Sequence, residues 1–247
     1  MPGKLRIVVL ECPYDTRKTD PRTWSLLTKN FDLKLDGYQR EYSDPLPVDG
    51  TDLVACHQIV VREEGASLVP LMAYRSITAE RCRRFHMPFP LLAQFRELGL
   101  VEHAEAVSEV LARAAKSNLD VCWDSSYTIS PLARADEALA NELRDVMRAM
   151  HVLYHQAMGD HEVLAGGVLK FKMDRLYQFW GYEVLKLAGR ELGPIRLPSL
   201  GNELGLAFHL SGAFSELARA HAEKFRALWD SRIQIGTDDR RIAKPAA

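Results

Sequence analysis

The segment from His161 to Tyr182, HEVLAGGVLKFKMDRLYQFWGY, constrains this fold more than any other. Its apolar run from Glu162 to Phe171 reads as a strand with a glycine pair, Gly166-Gly167, in its interior. Glycine inside a strand marks a bulge or a close approach of another backbone. The run passes straight into a short amphipathic helix that carries Leu176-Tyr177 and closes at Gly181-Tyr182. That handover places one phenol beside a groove between strands. A thiolate leaving during acyl transfer needs such a proton donor.

The chain is long enough, at 247 residues, for one large domain or two small ones. Hydrophobic residues make up 47% and charged residues 26%, so a sizeable core needs neither metal nor disulfides. A formal net charge of −1 argues against a nucleic-acid partner, which selects a basic surplus. Cys12, Cys56, Cys82 and Cys122 form no CxxC pair and read as core thiols in a reducing compartment, with no zinc site. No apolar run reaches membrane-spanning length and the N-terminus shows no cleavage pattern, so a cytoplasmic protein without a membrane span is expected.

Leu5 to Leu10 reads as a buried strand. Asp20-Pro21 opens a helix with Trp24, Leu27, Phe31 and Leu35 at helical spacing, which Gly37 weakens or ends. A loop holds Asp44-Pro45 and Leu46-Pro47. Leu53 to Glu63 and Leu68 to Ile77 read as an antiparallel hairpin turned at Glu64-Gly65-Ala66. Pro70 in its second strand requires an edge or a bulge. Helices fill Ala79 to Ser117, and Leu119 to Ser130 is a strand. Pro131 precedes a long helix from Ala133 to about Met158, ended by Gly159, with Leu139, Leu143, Val146, Met150 and Leu153 on one stripe. Gly189 to Gly205 resists assignment. Leu206 to His209 is a candidate last strand, and Phe214 to Arg232 reads as one amphipathic helix. Strands alternating with helices around one hairpin imply a mixed sheet covered on both faces.

This order resembles the GNAT superfamily of N-acyltransferases, over roughly residues 5–185. Leu176-Tyr177-Gln178-Phe179-Trp180-Gly181-Tyr182 is similar to the FYxxxGF ending of that family's short helix. Acyl-homoserine-lactone synthases and long-chain N-acyl amino acid synthases resemble the chain more narrowly. Asp49 and Asp52 match their D-x-x-D pair, and Arg75 their strand arginine. Trp123-Asp124-Ser125-Ser126 matches their tryptophan-acid stretch, with Tyr127 where they have arginine. The resemblance implies an α/β fold of the mixed α+β kind: a mostly antiparallel central sheet, helices on both faces, and a helical insert between the third and fourth strands. One acyltransferase domain is expected over 1–235, with the insert at about 79–117 and a frayed polar tail over 236–247.

The implied activity is transfer of an acyl group from an acyl-CoA or acyl-carrier-protein thioester to a small-molecule amine such as an amino acid. GNAT proteins that bind coenzyme A carry Q/R-x-x-G-x-G/A at the start of the long helix, whose amides cradle pyrophosphate. Here Ser130-Pro131-Leu132-Ala133-Arg134-Ala135 has no glycine. A carrier-protein partner is therefore as open as coenzyme A, with Arg134 and Ala135 at the phosphate end. A catalytically silent GNAT-like protein that binds an acyl ligand or a partner is the reading from another class.

Tyr177 is the expected proton donor to sulfur, and also suits a half-buried helix aromatic. Asp124 is the expected acid that handles the amine. Strand alternation puts Asp124, Ser126 and Thr128 on one face and Trp123, Ser125, Tyr127 and Ile129 on the other. The strand Ser126–Ile129 is expected to bind the pantetheine arm by strand addition. Arg75, Asp49, Asp52 and Trp123 are candidate acceptor contacts, and the charged three equally suit a structural ion-pair set. His151 and His155 lie one turn apart, with His161 close behind. No acid sits between them as in HExxH, so a solvated histidine face is expected. Met87 to Leu92, with Phe95 and Leu98, suit an acyl-chain tunnel or plain core.

Overall fold

The computed structural model describes residues 4–42, 48–159 and 161–236. The proline-rich loop over 43–47 and the tail beyond Gly236 lie outside the described residues. The chain opens with β1 (Leu5–Glu11), α1 (Pro13–Thr16) and α2 (Arg22–Gln39). One helical turn, α3 (Gly50–Val54), leads into the hairpin of β2 (Cys56–Glu64) and β3 (Ser67–Thr78). The insert follows as α4 (Ala79–Arg84), α5 (Pro90–Glu97) and α6 (Val101–Lys116). Then come β4 (Asp120–Ile129), α7 (Pro131–Ala135), α8 (Glu137–Met158), β5 (His161–Val168) and α9 (Met173–Trp180). Short strands β6 (Glu183–Val184), β7 (Lys186–Leu187), β8 (Arg190–Glu191) and β9 (Ile195–Leu197) precede β10 (Glu203–Leu210). The described chain ends with α10 (Glu216–Glu223), α11 (Arg226–Asp230) and β11 (Ile233–Ile235).

The main sheet runs β11-β1-β2-β3-β4-β5-β10-β6, and β9 also pairs β10. Only β1–β11 and β4–β5 are parallel among the described pairs; the rest are antiparallel. Helix α8 covers one face, where Leu143, Met147, Met150 and Leu153 pack with Val60, Met72, Val163 and Phe208. The other face is shared. Leu26, Leu27 and Leu33 of α2 cover Val8, Leu10 and Ile59, while Phe95, Val107 and Val110 of the insert cover Ile77, Val121 and Leu164. Each such side chain contributes about 1.5–3 kcal/mol of burial. No described helix is long and apolar enough to cross a membrane, and the four cysteines are free and buried.

Several sequence expectations change in detail. Helix α2 buries Leu26, Leu27, Asn30, Leu33 and Lys34; of the expected stripe Leu27 is buried and Phe31 and Leu35 are half-buried, but Trp24 is half exposed. Gly37 does not end α2. It lies where a Cβ would sit 2.7 Å from Thr128 Oγ1, which lets the helix press on β4. Leu53 and Val54 belong to α3, whose capping box uses both Asp49 and Asp52. Pro70 is accommodated by a bulge in the β2–β3 pairing. The expected long helix breaks at Asp136, whose side chain accepts from Leu139 N and caps α8. The last helix breaks between α10 and α11, and Leu217 in α10 is exposed.

Candidate active site

Strands β4 and β5 pair in register from Asp120–His161 to Asp124–Ala165 and no further. Beyond that point they diverge. A cavity of about 1070 Å³ opens between them, lined by Trp123–Ile129 of β4 and Gly166–Val168 of β5. Its size matches small-molecule sites. The glycine pair shapes this opening by close approach. A Cβ on Gly167 would meet Met173 Cβ at 2.5 Å and Tyr177 Cε2 at 2.8 Å, and one on Gly166 would meet Trp123 Cη2 at 3.0 Å. On the insert side the wall is apolar, with Met87, Pro90, Leu91, Phe95, Trp123 and Ala207. Toward α8 and α9 it carries Arg144, Arg148, Lys172 and Arg175.

A bulge in β4 sets which side chains face which way. Arg75 pairs with Ser125 and Ala73 with Thr128, so two β4 residues, Ser126 and Tyr127, oppose Tyr74. Ser126 takes φ +60°, a backbone rarely adopted by L-residues. The expected alternation is thereby corrected. Asp124 points toward α8, whereas Thr128 points to Gly37 of α2 and Tyr127 packs with the α8-side core. Sequence alternation misses this because it counts two residues per repeat, and the bulge adds one.

Asp124 is buried beneath α8. Ser76 Oγ donates to its Oδ1 at 2.5 Å, and His155 Nε2 lies 2.7 Å from its Oδ2. His155 Nδ1 lies 2.7 Å from His161 Nε2, and His161 Nδ1 lies 2.6 Å from the Gly159 carbonyl. That carbonyl only accepts, so His161 donates from Nδ1 and, when neutral, accepts at Nε2. His155 then donates from Nδ1, and a proton must fill the short gap between its Nε2 and Asp124. Burial pushes the Asp124 carboxyl up, but His155 and the Ser76 hydrogen bond outweigh it and hold the group below the usual carboxylate range. His151 stacks on Trp180 and meets Tyr182 Oη at 2.9 Å; burial and His155 lower it to about 3, so it is neutral. His151 and His155 are each only 2% exposed, which corrects the expected solvated histidine face. Ligand atoms of Asp124, His151 and His155 lie within 4.8 Å of one another, a spacing that a cation can bridge. Most of these atoms are already engaged in hydrogen bonds, which fits a proton-sharing cluster.

A second charged set lies across the sheet. Arg75 Nη1 reaches Asp52 at 2.7 Å and Asp49 at 3.1 Å, and its Nε donates to Ser125 Oγ. Lys34 Nζ reaches Asp52 at 3.1 Å, fully buried in α2. Burial pushes Asp52 up, but Arg75 and Lys34 win and lower it. Burial and Arg75 lower Lys34. His57, bonded to Asn30 and the Asp52 carbonyl, is pushed down to about 4 by burial.

The cavity gathers most of the residues singled out in the sequence: Tyr177, Asp124, Ser126, Tyr127, Thr128, Ile129, Arg134, Arg75, Asp49 and Trp123 line it. Asp52 and Ala135 do not. Asp52 supports Arg75 from below, and Ala135 ends the one-turn helix α7. Arg134 bonds Glu41 at 2.9 Å. Tyr177 Oη donates to the Gly166 carbonyl at 3.1 Å, and its ring stacks on Phe208. Of the suggested tunnel residues, Met87, Pro88, Pro90, Leu91 and Phe95 line the cavity. Sequence reasoning passed over Tyr74 and Lys34, and gave His155 no role. For Lys34 the signal was a lysine on the apolar side of a helix.

A mixed, mostly antiparallel sheet with a parallel β4–β5 pair that splays open is a GNAT-like fold. The neighbours bear this out. The AHL synthase LasI superposes with a TM-score of 0.56 at 13% identity, covering 87% of this chain and 94% of that one. The CoA-dependent acyl-homoserine lactone synthase MesI gives 0.54 at 14%, covering 94% and 100%. BjaI, a CoA-dependent acyl-homoserine lactone synthase solved with SAM and isopentyl-CoA, gives 0.53 at 14%, covering 96% and 97%. No family model matches the sequence, and no curated protein does.

Proposed function

We propose that this chain is a single-domain N-acyltransferase that moves an acyl group from a pantetheine thioester to the amine of a small molecule such as an amino acid. One observation carries the reading: the β4–β5 opening joins an apolar lobe under the insert to a cationic rim beside α8 and α9, with Tyr177 and Asp124 between them. The acyl chain fits the apolar lobe, and the phosphate end of the donor fits the arginine rim. Ser126–Ile129 offer backbone partners to the pantetheine arm. With no glycine loop at Pro131, an acyl carrier protein and coenzyme A are both admissible donors. The free buried cysteines suit a reducing cytoplasm.

In this reading the amine nitrogen attacks the thioester carbon and the C–S bond breaks. The departing thiolate takes the Tyr177 proton. Burial raises that phenol, so it stays protonated until charge develops on sulfur beside it. Asp124, held ionised by His155 and Ser76, orients the acceptor amine, which attacks after its ammonium has lost a proton to water. Asp49 and Arg75 border the acceptor end, with Trp123 between it and the acyl lobe. The synthases of similar fold that are CoA-dependent, one seen with SAM and isopentyl-CoA, favour the same pairing of thioester and amine. Mass spectrometry of ligand extracted from the purified protein tests this. A co-purified N-acyl amine or acyl-pantetheine supports it; a nucleotide without pantetheine argues against it.

A further inference from the structure

Tyr74 lies in the middle of β3, opposite the two-residue bulge of β4. Its residue is 4% exposed, it lines the cavity, and its hydroxyl has no hydrogen-bond partner. A buried hydroxyl without a partner is costly, so native folds rarely keep one that nothing uses. Its neighbours make the gap specific. Tyr177 is engaged by the Gly166 carbonyl, His151 by Tyr182, and Asp124 by Ser76 and His155. Tyr74 is thus the phenol of this cluster left with a hydrogen to give. Burial and the nearby Asp124 charge push its pKa well up, so it keeps a proton to donate. The ring is held in place by contact with His151, 5.6 Å between centroids, and by the core beneath α8.

We propose that Tyr74 donates a hydrogen bond to the carbonyl oxygen of the bound thioester and strengthens it as that oxygen becomes an oxyanion. This rests on the acyltransferase reading above. The proton stays on Tyr74 throughout; amine attack places the negative charge on oxygen, and its collapse expels the thiolate. A preorganised donor in a site shielded from water stabilises the charged state most. The neighbouring bulge supports the placement, because it turns Ser126 and Tyr127 out of register where the thioester must pass.

Tyr74→Phe tests this, since it removes only the oxygen. Because that oxygen bonds nothing in the free protein, the melting temperature should stay level or rise. With decanoyl-pantetheine as donor, kcat should fall about 100-fold, the usual effect of losing one oxyanion donor. Binding separates the two claims. The ketone analogue, with CH2 for sulfur, should bind Tyr74→Phe at least fivefold more weakly than wild type. The thioether analogue, with CH2 for the carbonyl, should bind both alike. A melting temperature lowered by several degrees, or a ketone affinity unchanged while the wild type binds both analogues, would overturn the role of Tyr74. A wild type that binds neither analogue, nor turns over the thioester, would instead defeat the acyltransferase reading, and a destabilised Tyr74→Phe would still count against the hydroxyl by itself.

Discussion

Tyr177→Phe separates a chemical role from a structural one by magnitude. The substitution keeps the ring on Phe208 and deletes one hydrogen bond, 3.1 Å to the Gly166 carbonyl. A neutral bond of this kind contributes about 1 kcal/mol, and up to about 3 if the carbonyl is left unpaired. Against a starting stability of about 5 kcal/mol, the low end for a domain, the larger loss still leaves about 97% of the molecules folded. A structural role therefore changes turnover by less than about a tenth. Loss of a general acid lowers kcat by roughly 10²–10⁴-fold, or about 3–5 kcal/mol of barrier. The assay is thiol release from decanoyl-CoA with an amine mixture, read with a thiol reagent, beside a urea titration. A kcat within about threefold of wild type would refute the proton-donor role.

Three further outcomes follow from the packing and the charges. Gly167→Ala sets a Cβ 2.5 Å from Met173 Cβ, so α9 must shift; a loss of about 1–3 kcal/mol in urea is expected, with weakened donor binding, and an unchanged midpoint would contradict the close approach. Arg75→Met leaves Asp52 and Asp49 short of a buried cation, which costs roughly 3–5 kcal/mol, whereas Arg75→Met with Asp52→Leu should recover part of it; equal losses in single and double variants would argue against the network. His57 titrates at about 4 when folded and near 6.5 when unfolded, so the unfolded chain binds the extra proton and stability falls as pH drops through that window. The full window is worth roughly 3 kcal/mol, and His57→Gln should flatten the curve by about that amount; parallel curves would exclude His57 as the source.

Much of this architecture is legible in the chain because it rests on local rules. The β-branched run of Leu5–Leu10, the Gly65 turn, the α8 stripe and the Gly166-Gly167 pair each point to what forms there. What stays hidden depends on contacts between distant segments. A solvated pair and a buried pair of histidines have the same spacing; only the approach of Asp124, 31 residues away, decides between them. Lys34 breaks the apolar face of α2 because Asp52 meets it inside. The bulge at Ser126 carries no glycine to announce it, and it reverses the faces of Thr128 and Asp124. The strands β6 to β9 are two or three residues long, too short for any period to show.

In the proposed reaction the thioester lies in the β4–β5 opening. A crystal structure with the ketone analogue of decanoyl-CoA would locate it. The expected density has the pantetheine arm beside Ser126–Ile129, the ketone oxygen within hydrogen-bond reach of Tyr74, and the alkyl chain past Trp123 under the insert. An analogue seated elsewhere, with the opening empty, would contradict it.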